Sequence, residues 1–464
     1  MSTLRSRVPF AAVLALAVGV GAYIGDPVAP AVPTPRASAT AGVSAALASG
    51  NVRSAAWYCP IASPSRAVAA GDALTISNTG TKRIAVEIQG VSARRVVGRK
   101  RIEISGNNAT RLTLEEFGVK SDLGVIVEAF GSGVVVEHNI TVDQRETSTP
   151  CATEPGTRAY FGAATTRKNM QQTVALMNPF GQSAVIDIAL LTSDGLLRPK
   201  SMQAIEVAAR SKVWVSLNAG ADQQSVLSVA ATARSGRFVA ESLLVGRGEL
   251  ATSPISLQIG VPSLATEWHL TDFDRQRSET HQLVIANPGE TAIDVNVLTL
   301  RDNTVAVEQR IVKLEAGTTR VVSPTVDAEQ RDDVSVIVNS QRPFAAGSMH
   351  ESTARGQQGV SLGAPLSHSS TQWAFGVDHT ALLDDSVWFS IENEATSDAS
   401  VQIVGAAGGI RRNLDIPAQQ RVAVKITGNT VVSVVTITSD QRIFVSRRMT
   451  GPGGISRSPG VPTL

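Results

Sequence analysis

VALMNPFGQSAVIDI, residues 174–188, decides the fold, because the chain repeats its pattern without a gap in LTISNTGTKRIAVEI (74–88), LVIANPGETAIDVNV (283–297) and FSIENEATSDASVQI (389–403). Each copy centres on an asparagine: Asn78, Asn178, Asn287 or Asn393. Apolar residues stand four and two places before it (Leu74/Ile76, Val174/Leu176, Leu283/Ile285, Phe389/Ile391) and eight and ten places after it (Val86/Ile88, Ile186/Ile188, Val295/Val297, Val401/Ile403). Period-two alternation on both sides of a polar break predicts two half-buried strands joined by a turn. Asparagine suits the break because it tolerates left-handed backbone angles and bonds its own main chain, while Pro179 and Pro288 fix φ and Gly80, Gly181 and Gly289 relax sterics.

The asparagines are 100, 109 and 106 residues apart. That is the size of one immunoglobulin-like sandwich and well beyond a solenoid repeat. Each unit also ends in a β-branched run, a tight polar turn and another run; the turns Gly131-Ser132-Gly133, Ser235-Gly236, Ser340-Gln341-Arg342 and Ser439-Asp440-Gln441-Arg442 read as hairpins. Pro343 inside one such run predicts an edge strand. Trp57, Tyr160, Trp268 and Trp373 precede their asparagines by 21, 18, 19 and 20 residues and mark first strands, as core or joint-packing aromatics. With shorter runs such as MQAIEVA, KVWVSL and RVAVKI, each unit holds about seven strands. The expectation is an all-β chain of four tandem immunoglobulin-like sandwiches at 55–152, 153–262, 263–365 and 366–464.

Before them, Arg5 and Arg7 precede the uncharged stretch Val8 to Gly25, which reads as an export signal or an uncleaved membrane anchor, the anchor slightly favoured. Residues 26–54, with Pro27, Pro30, Pro33 and Pro35 among Ala and Ser, read as a disordered, extended linker. Cys59 and Cys151, the chain's two cysteines, flank the first unit. An oxidised pair is favoured over free thiols or an intermolecular bridge, and would stabilise that unit by roughly 4–5 kcal/mol on the chain-entropy account.

A composition with 43% hydrophobic residues supports folded cores, and a net charge of +2 gives no global pull toward nucleic acid. The local exception is RRVVGRKR, residues 94–101. There Arg94, Arg95, Arg99, Lys100 and Arg101 read as a solvated edge strand or, alternatively, as a site for an anionic wall polymer or membrane phosphates.

Catalytic patterns appear and dissolve. Gly359-Val360-Ser361-Leu362-Gly363 spells a nucleophile elbow but lacks the strand-to-helix context, and Ser256 and Ser456 read as counterparts of Ser361 in neighbouring units. His350-Glu351 opens a zinc-protease pattern, yet Ala354 stands where the second His belongs. Asp272-Phe273-Asp274 lacks the further ligands of a calcium loop. The six histidines are scattered and zinc needs closer spacing, so neither metal nor cofactor is expected.

The apolar N-terminal stretch, the Pro/Ala spacer, Trp57-Tyr58-Cys59-Pro60, Cys151 and the tandem β units together resemble an uncharacterised family of actinobacterial cell-envelope proteins. The resemblance implies an extracytoplasmic, membrane-associated β-protein with no assigned activity. Its members are often encoded beside a membrane glycosyltransferase, which implies an accessory role in envelope glycan assembly. The leading expectation is therefore a non-enzymatic envelope scaffold or binding protein. Its partners would be envelope proteins or glycans, a membrane glycosyltransferase among them; it would meet the membrane through its N-terminal segment and would not bind nucleic acid. Two alternatives stand: a hydrolase or transferase subunit with an inter-unit acidic site drawn from residues such as Asp327, Asp332 and Asp333, and an adhesin using the basic cluster of unit 1.

Overall fold

A computed structural model describes residues 44–47, 52–61, 71–92, 95–114, 123–142, 145–246, 255–273, 279–301, 304–324, 334–352, 357–377, 386–406, 410–426, 433–451 and 454–463. The expected signal or anchor at residues 1–25 lies outside them. Among the described residues the fold is all-β, interrupted by short 3-10 turns such as Leu217–Ala219, and no helix is long and apolar enough to cross a membrane.

Unit 1 contains β1 (Ala55–Cys59), β2 (Asp72–Asn78), β3 (Ile84–Ser92), β4 (Arg95–Ile104), β5 (Asn108–Thr113), β6 (Gly124–Ala129), β7 (Val134–Val142) and β8 (Arg145–Pro150). They form two antiparallel sheets ordered β1-β6-β3-β4 and β5-β2-β7-β8. The alternating positions face each other across the sandwich: Leu74, Ile76, Val86, Ile88, Val125, Val127 and Val136 share one buried cluster with Trp57. Units 2, 3 and 4 repeat this pairing with their own strands. The two-sheet architecture is the expected one, but the pairing differs from an immunoglobulin domain, whose sheets join strands A-B-E-D and C-F-G. Here β1 pairs with β6 rather than β2, and β7 pairs with β2 rather than β6.

That exchange corrects the hairpin reading. The Gly131-Ser132-Gly133 turn carries the chain from one sheet to the other, because β6 and β7 lie in different sheets. In units 3 and 4 the same corner is crossed by single 19-residue strands, Val334–Ser352 and Ser433–Gly451, that pair in both sheets. Pro343 sits exposed at this crossover rather than on an edge strand; the ladder partners recorded around it are Asn339 before it and Phe344 after it. Its missing N–H therefore breaks no ladder bond.

The repeated asparagine clamps the opposite corner. Asn178 Nδ2 donates to the carbonyls of Gln182, Val207 and Ala208 at 2.6, 3.1 and 3.2 Å, and its Oδ1 accepts from the Phe180 N–H. Asn78 makes the same four contacts with Lys82, Ile104, Ser105 and Gly80. Asn287 does so with Thr291, Leu314, Glu315 and Gly289, and Asn393 with Ser397, Ile416, Pro417 and Ala395. Each amide thus ties the end of a strand in one sheet to the chain leaving a strand of the other, and all four are buried.

Cys59 and Cys151 are disulfide-bonded and fully buried in the unit 1 core. The linker ends earlier than 54: Ala45 and Leu47 are buried in the same core, and Leu47 bridges Thr463. Ser44, Ala45 and Leu47 are all buried, which a disordered spacer would not need.

First strands then couple the units. Strand-end bridges pair Tyr58 with Ala152, Tyr160 with Val261, His269 with Ala364 and Ala374 with Val461. The counterpart of Trp57, Trp268 and Trp373 in unit 2 is therefore Ala159, and Tyr160 occupies the next position, facing outward from its own core. All four bridges insert into the following unit. Tyr58 and Ala152 pack on Val239 and Ile259 of unit 2. Tyr160 and Val261 join the core around Trp268 in unit 3, and Ala364 joins the core of unit 4. Ala374 and Val461 of unit 4 return to the core of unit 1. The order is closed. The last strands meet inside it: Thr147 and Thr149 Oγ1 accept from the Leu257 and Ile259 N–H groups at 3.0 and 3.1 Å, Ser256 Oγ donates to the Val360 carbonyl, and Ser456 Oγ donates to Thr147 Oγ1.

The asparagine clamp makes a prediction. Asn287→Ala strands buried carbonyls and is expected to lower stability by about 1–3 kcal/mol. Asn287→Asp should be at least as damaging despite its matching shape, because an acceptor then faces three carbonyls. Urea unfolding of the two variants checks the order.

Candidate functional site

The basic cluster lies on β4, the edge of its sheet. Arg101 stands opposite Glu87 and Arg99 opposite Gln89. Arg99 Nε sits 2.7 Å from Glu87 Oε1, and the Arg101 guanidinium lies 5.3 Å over the Phe130 ring. Lys100 faces Ile88 across the ladder, Arg95 begins β4, and Arg94 lies outside the described residues. Exposed pairs of this kind contribute little stability. They do engage Arg99 and Arg101 within their own unit.

Ser361 lies on a strand, Gln357–Leu362, and its Oγ is 2.7 Å from Ser348 Oγ. Counting back from the bridged residues Val261, Ala364 and Val461, its counterparts are Gln258 and Ser458, two residues on from Ser256 and Ser456. It is a repeated inner-strand position with no nucleophile elbow around it. Asp327, Asp332 and Asp333 lie outside the described residues.

Chemistry-bearing side chains converge at the joints. Between units 4 and 1, Arg447 grips both Glu137 oxygens, Nη2 to Oε1 at 3.1 Å and Nη1 to Oε2 at 3.3 Å, and also donates to Ser148 Oγ, Ser458 Oγ and the Gly376 carbonyl. A Cβ on Gly376 would stand 2.7 Å from Glu137 Oε2, so the close approach requires glycine there. Burial raises the Glu137 carboxyl, opposed by Arg447.

Between units 1 and 2, His138 sits fully buried with Glu241 Oε1 at 3.0 Å from Nδ1 and Asp72 Oδ1 at 3.3 Å from Nε2. Burial depresses the imidazole, but the two carboxylates override it and lift it to about 9.

The joint between units 3 and 4 holds two groups. In one, Asp272 accepts from Arg457 Nε at 2.7 Å, Arg448 Nη1 at 3.1 Å and Ser390 Oγ, which in turn accepts from Arg421. Burial would raise this carboxyl; Arg448 and Arg457 instead hold it well below the usual carboxylate range. A carboxylate so engaged with two guanidiniums is no calcium ligand, which disposes of the acidic-loop pattern. Burial and Arg457 push the neighbouring His281 well down.

In the other group, His269 stacks on Phe444, with ring centroids 3.7 Å apart. Its Nδ1 meets Glu392 Oε1 at 2.7 Å, while Nε2 meets Glu267 Oε1 at 3.0 Å and Glu394 Oε2 at 3.7 Å. Ser369 Oγ donates to the other Glu394 oxygen at 2.7 Å. Burial would lower the imidazole, but Glu392, Glu267 and Glu394 raise it to about 9. Ligand atoms of Glu267, His269 and Glu394 all lie within 4.8 Å of one another, a set able to hold a metal ion. Reading the histidines as isolated missed this group. Its trace in the sequence is two short pairs, Glu267-Trp268-His269, alternating on one strand face, and Glu392-Asn393-Glu394, at and just beyond a strand end, each sharing a residue with the repeat.

Residues 132–242 match a family of unknown function, DUF5719. The matched stretch runs from the sheet-switching corner of unit 1 into unit 2, and so includes His138 and Glu241. No curated protein matches the chain. Among solved structures, the crystal structure of a tetra-tandem repeat in the extending region of a large adhesion protein aligns with 89% of this chain and 100% of its own, at 11% identity and a TM-score of 0.13, a likeness too slight to carry an argument.

The His138 joint predicts a pH response. Its folded value, about 9, exceeds the ordinary 6.5, so its contribution is fully present below 6.5 and lost as pH rises through about 9. Denaturation midpoints across that window should fall for the natural chain and fall less for His138→Gln; equal slopes would contradict the assignment.

Proposed function

We propose that this chain is a non-enzymatic, extracytoplasmic scaffold or binding protein of the cell envelope, accessory to envelope glycan assembly. The observation that carries the reading is where the buried polar groups are placed. Glu137 with Arg447, and His138 with Glu241, lie between units and tie each to its neighbour. The buried Cys59–Cys151 bridge suits an oxidising compartment, and so does the apolar stretch after Arg5 and Arg7. A closed array with a cross-linked first unit presents fixed outer surfaces to envelope proteins or glycans. The membrane glycosyltransferase implied by the family resemblance is the partner to seek.

A second reading has a specific observation in its favour. A hydrolase or transferase subunit requires acidic and imidazole groups converging between units, and Glu267, His269, Glu392 and Glu394 do converge there. The adhesin reading is weaker, since Arg99 and Arg101 already engage Glu87 and Phe130.

Crosslinking in living cells followed by identification of captured proteins tests the choice. The scaffold reading expects a membrane glycosyltransferase or another envelope assembly protein. Turnover of an envelope glycan by the purified chain, abolished by Glu267→Gln, would establish the second reading instead.

A further inference from the structure

We propose that Glu267, His269 and Glu394 form a divalent metal site at the joint of units 3 and 4, suited to a first-row transition ion such as zinc. The proposal is independent of either functional reading.

The geometry separates this group from a simple buried histidine link. At His138 each ring nitrogen faces one carboxylate, both fully buried, so no nitrogen is shared between two acidic groups. At His269 two carboxylates from different units converge on the same nitrogen, Nε2, at 3.0 and 3.7 Å. Zinc binds imidazole nitrogen and carboxylate oxygen at about 2.0–2.2 Å, so neighbouring ligands of a tetrahedral ion stand about 3.3 Å apart. The two separations from Nε2 straddle that value, and the three ligand atoms all lie within 4.8 Å of one another.

The surrounding groups orient the ligands as metal sites require. Glu392 accepts from Nδ1, so that on metal binding Nε2 would give up its proton and turn its lone pair to the ion between Glu267 and Glu394; a carboxylate behind a ligating imidazole fixes its tautomer and raises its basicity. Ser369 fixes the second oxygen of Glu394, and Phe444 holds the ring plane. Glu392 is fully buried and its Oε2 has no hydrogen-bond partner among the described residues. Within this group three carboxylates face one imidazole, a local excess of negative charge that a divalent cation would offset. One nitrogen and two oxygens favour zinc or manganese over calcium, which takes oxygen alone.

Access exists on one side. The Glu267 and Glu394 side chains are 28% and 24% exposed, whereas His269 is 1% exposed. Glu267 also lines an open groove with Asn296, Asn339 and Arg342. An ion can enter there and keep a position for water. Because Glu267 and His269 belong to unit 3 and Glu394 to unit 4, the ion would join two units. It would stabilise their contact by binding the folded form alone.

The test is calorimetric titration of the full chain, stripped with a chelator, with zinc alone, alongside its thermal unfolding. The expected result is one saturable equivalent and an unfolding temperature that rises with zinc. Glu267→Gln and Glu394→Gln, at partly exposed positions, should each weaken binding at least ~10-fold, and Glu392→Gln by about 10–100-fold. His138→Gln should leave binding unchanged. Cobalt in place of zinc should give visible absorption from a four-coordinate site in the natural chain, a readout independent of any variant. Neither saturable zinc binding nor a cobalt spectrum, or zinc affinity unmoved by Glu267→Gln and Glu394→Gln, would overturn the proposal.

Discussion

Each sandwich places one first-strand side chain and its strand-end partner inside the next sandwich, and everything else at the joints follows from that insertion. Tyr58 with Ala152, Tyr160 with Val261, His269 with Ala364 and Ala374 with Val461 occupy the same position in the four repeats. Since the residues around an inserted strand leave water, polar groups there must find partners within the protein. At three joints charged side chains supply them: Arg447 on Glu137, Asp72 and Glu241 on His138, and Arg448 and Arg457 on Asp272. Where the inserted residue is itself a histidine, His269, the pairing becomes a cluster of mixed ligands. Candidate chemistry thus arises where the repeat is least regular, at a position that is tyrosine or alanine in the other units.

Buried ion pairs are weak evidence for net stability, because desolvation offsets much of their attraction. Their value in a pseudo-repetitive chain is selection among joints. Four similar surfaces could pair in several orders, and Glu137 with Arg447 matches unit 1 to unit 4 by charge and by the glycine at 376.

Much of the fold was legible in the sequence, for identifiable reasons. The asparagine clamp announces itself because a buried amide serving four backbone groups tolerates no shift, so apolar residues recur at fixed offsets around it. The joint register was not legible. Tyr160 looks like the aromatic equivalent of Trp57, yet it sits one residue further along and so faces the opposite side of its strand, toward unit 3. The hairpin reading failed on a related point. Gly131-Ser132-Gly133 reports that the chain turns, but the sheet that receives β7 is chosen by packing distant in sequence. The His269 cluster joins strands whose ligands are about 125 residues apart in the chain, so no local spacing rule exposes it.

The most direct measurement of the closed order is a double-mutant cycle on Glu137 and Arg447, residues of the first and last units, using Glu137→Gln and Arg447→Met in equilibrium unfolding. The account predicts a coupling of about 2 kcal/mol or more, as found for close charge pairs removed from water. Coupling within error of zero, with both single variants near natural stability, would mean that units 1 and 4 do not meet.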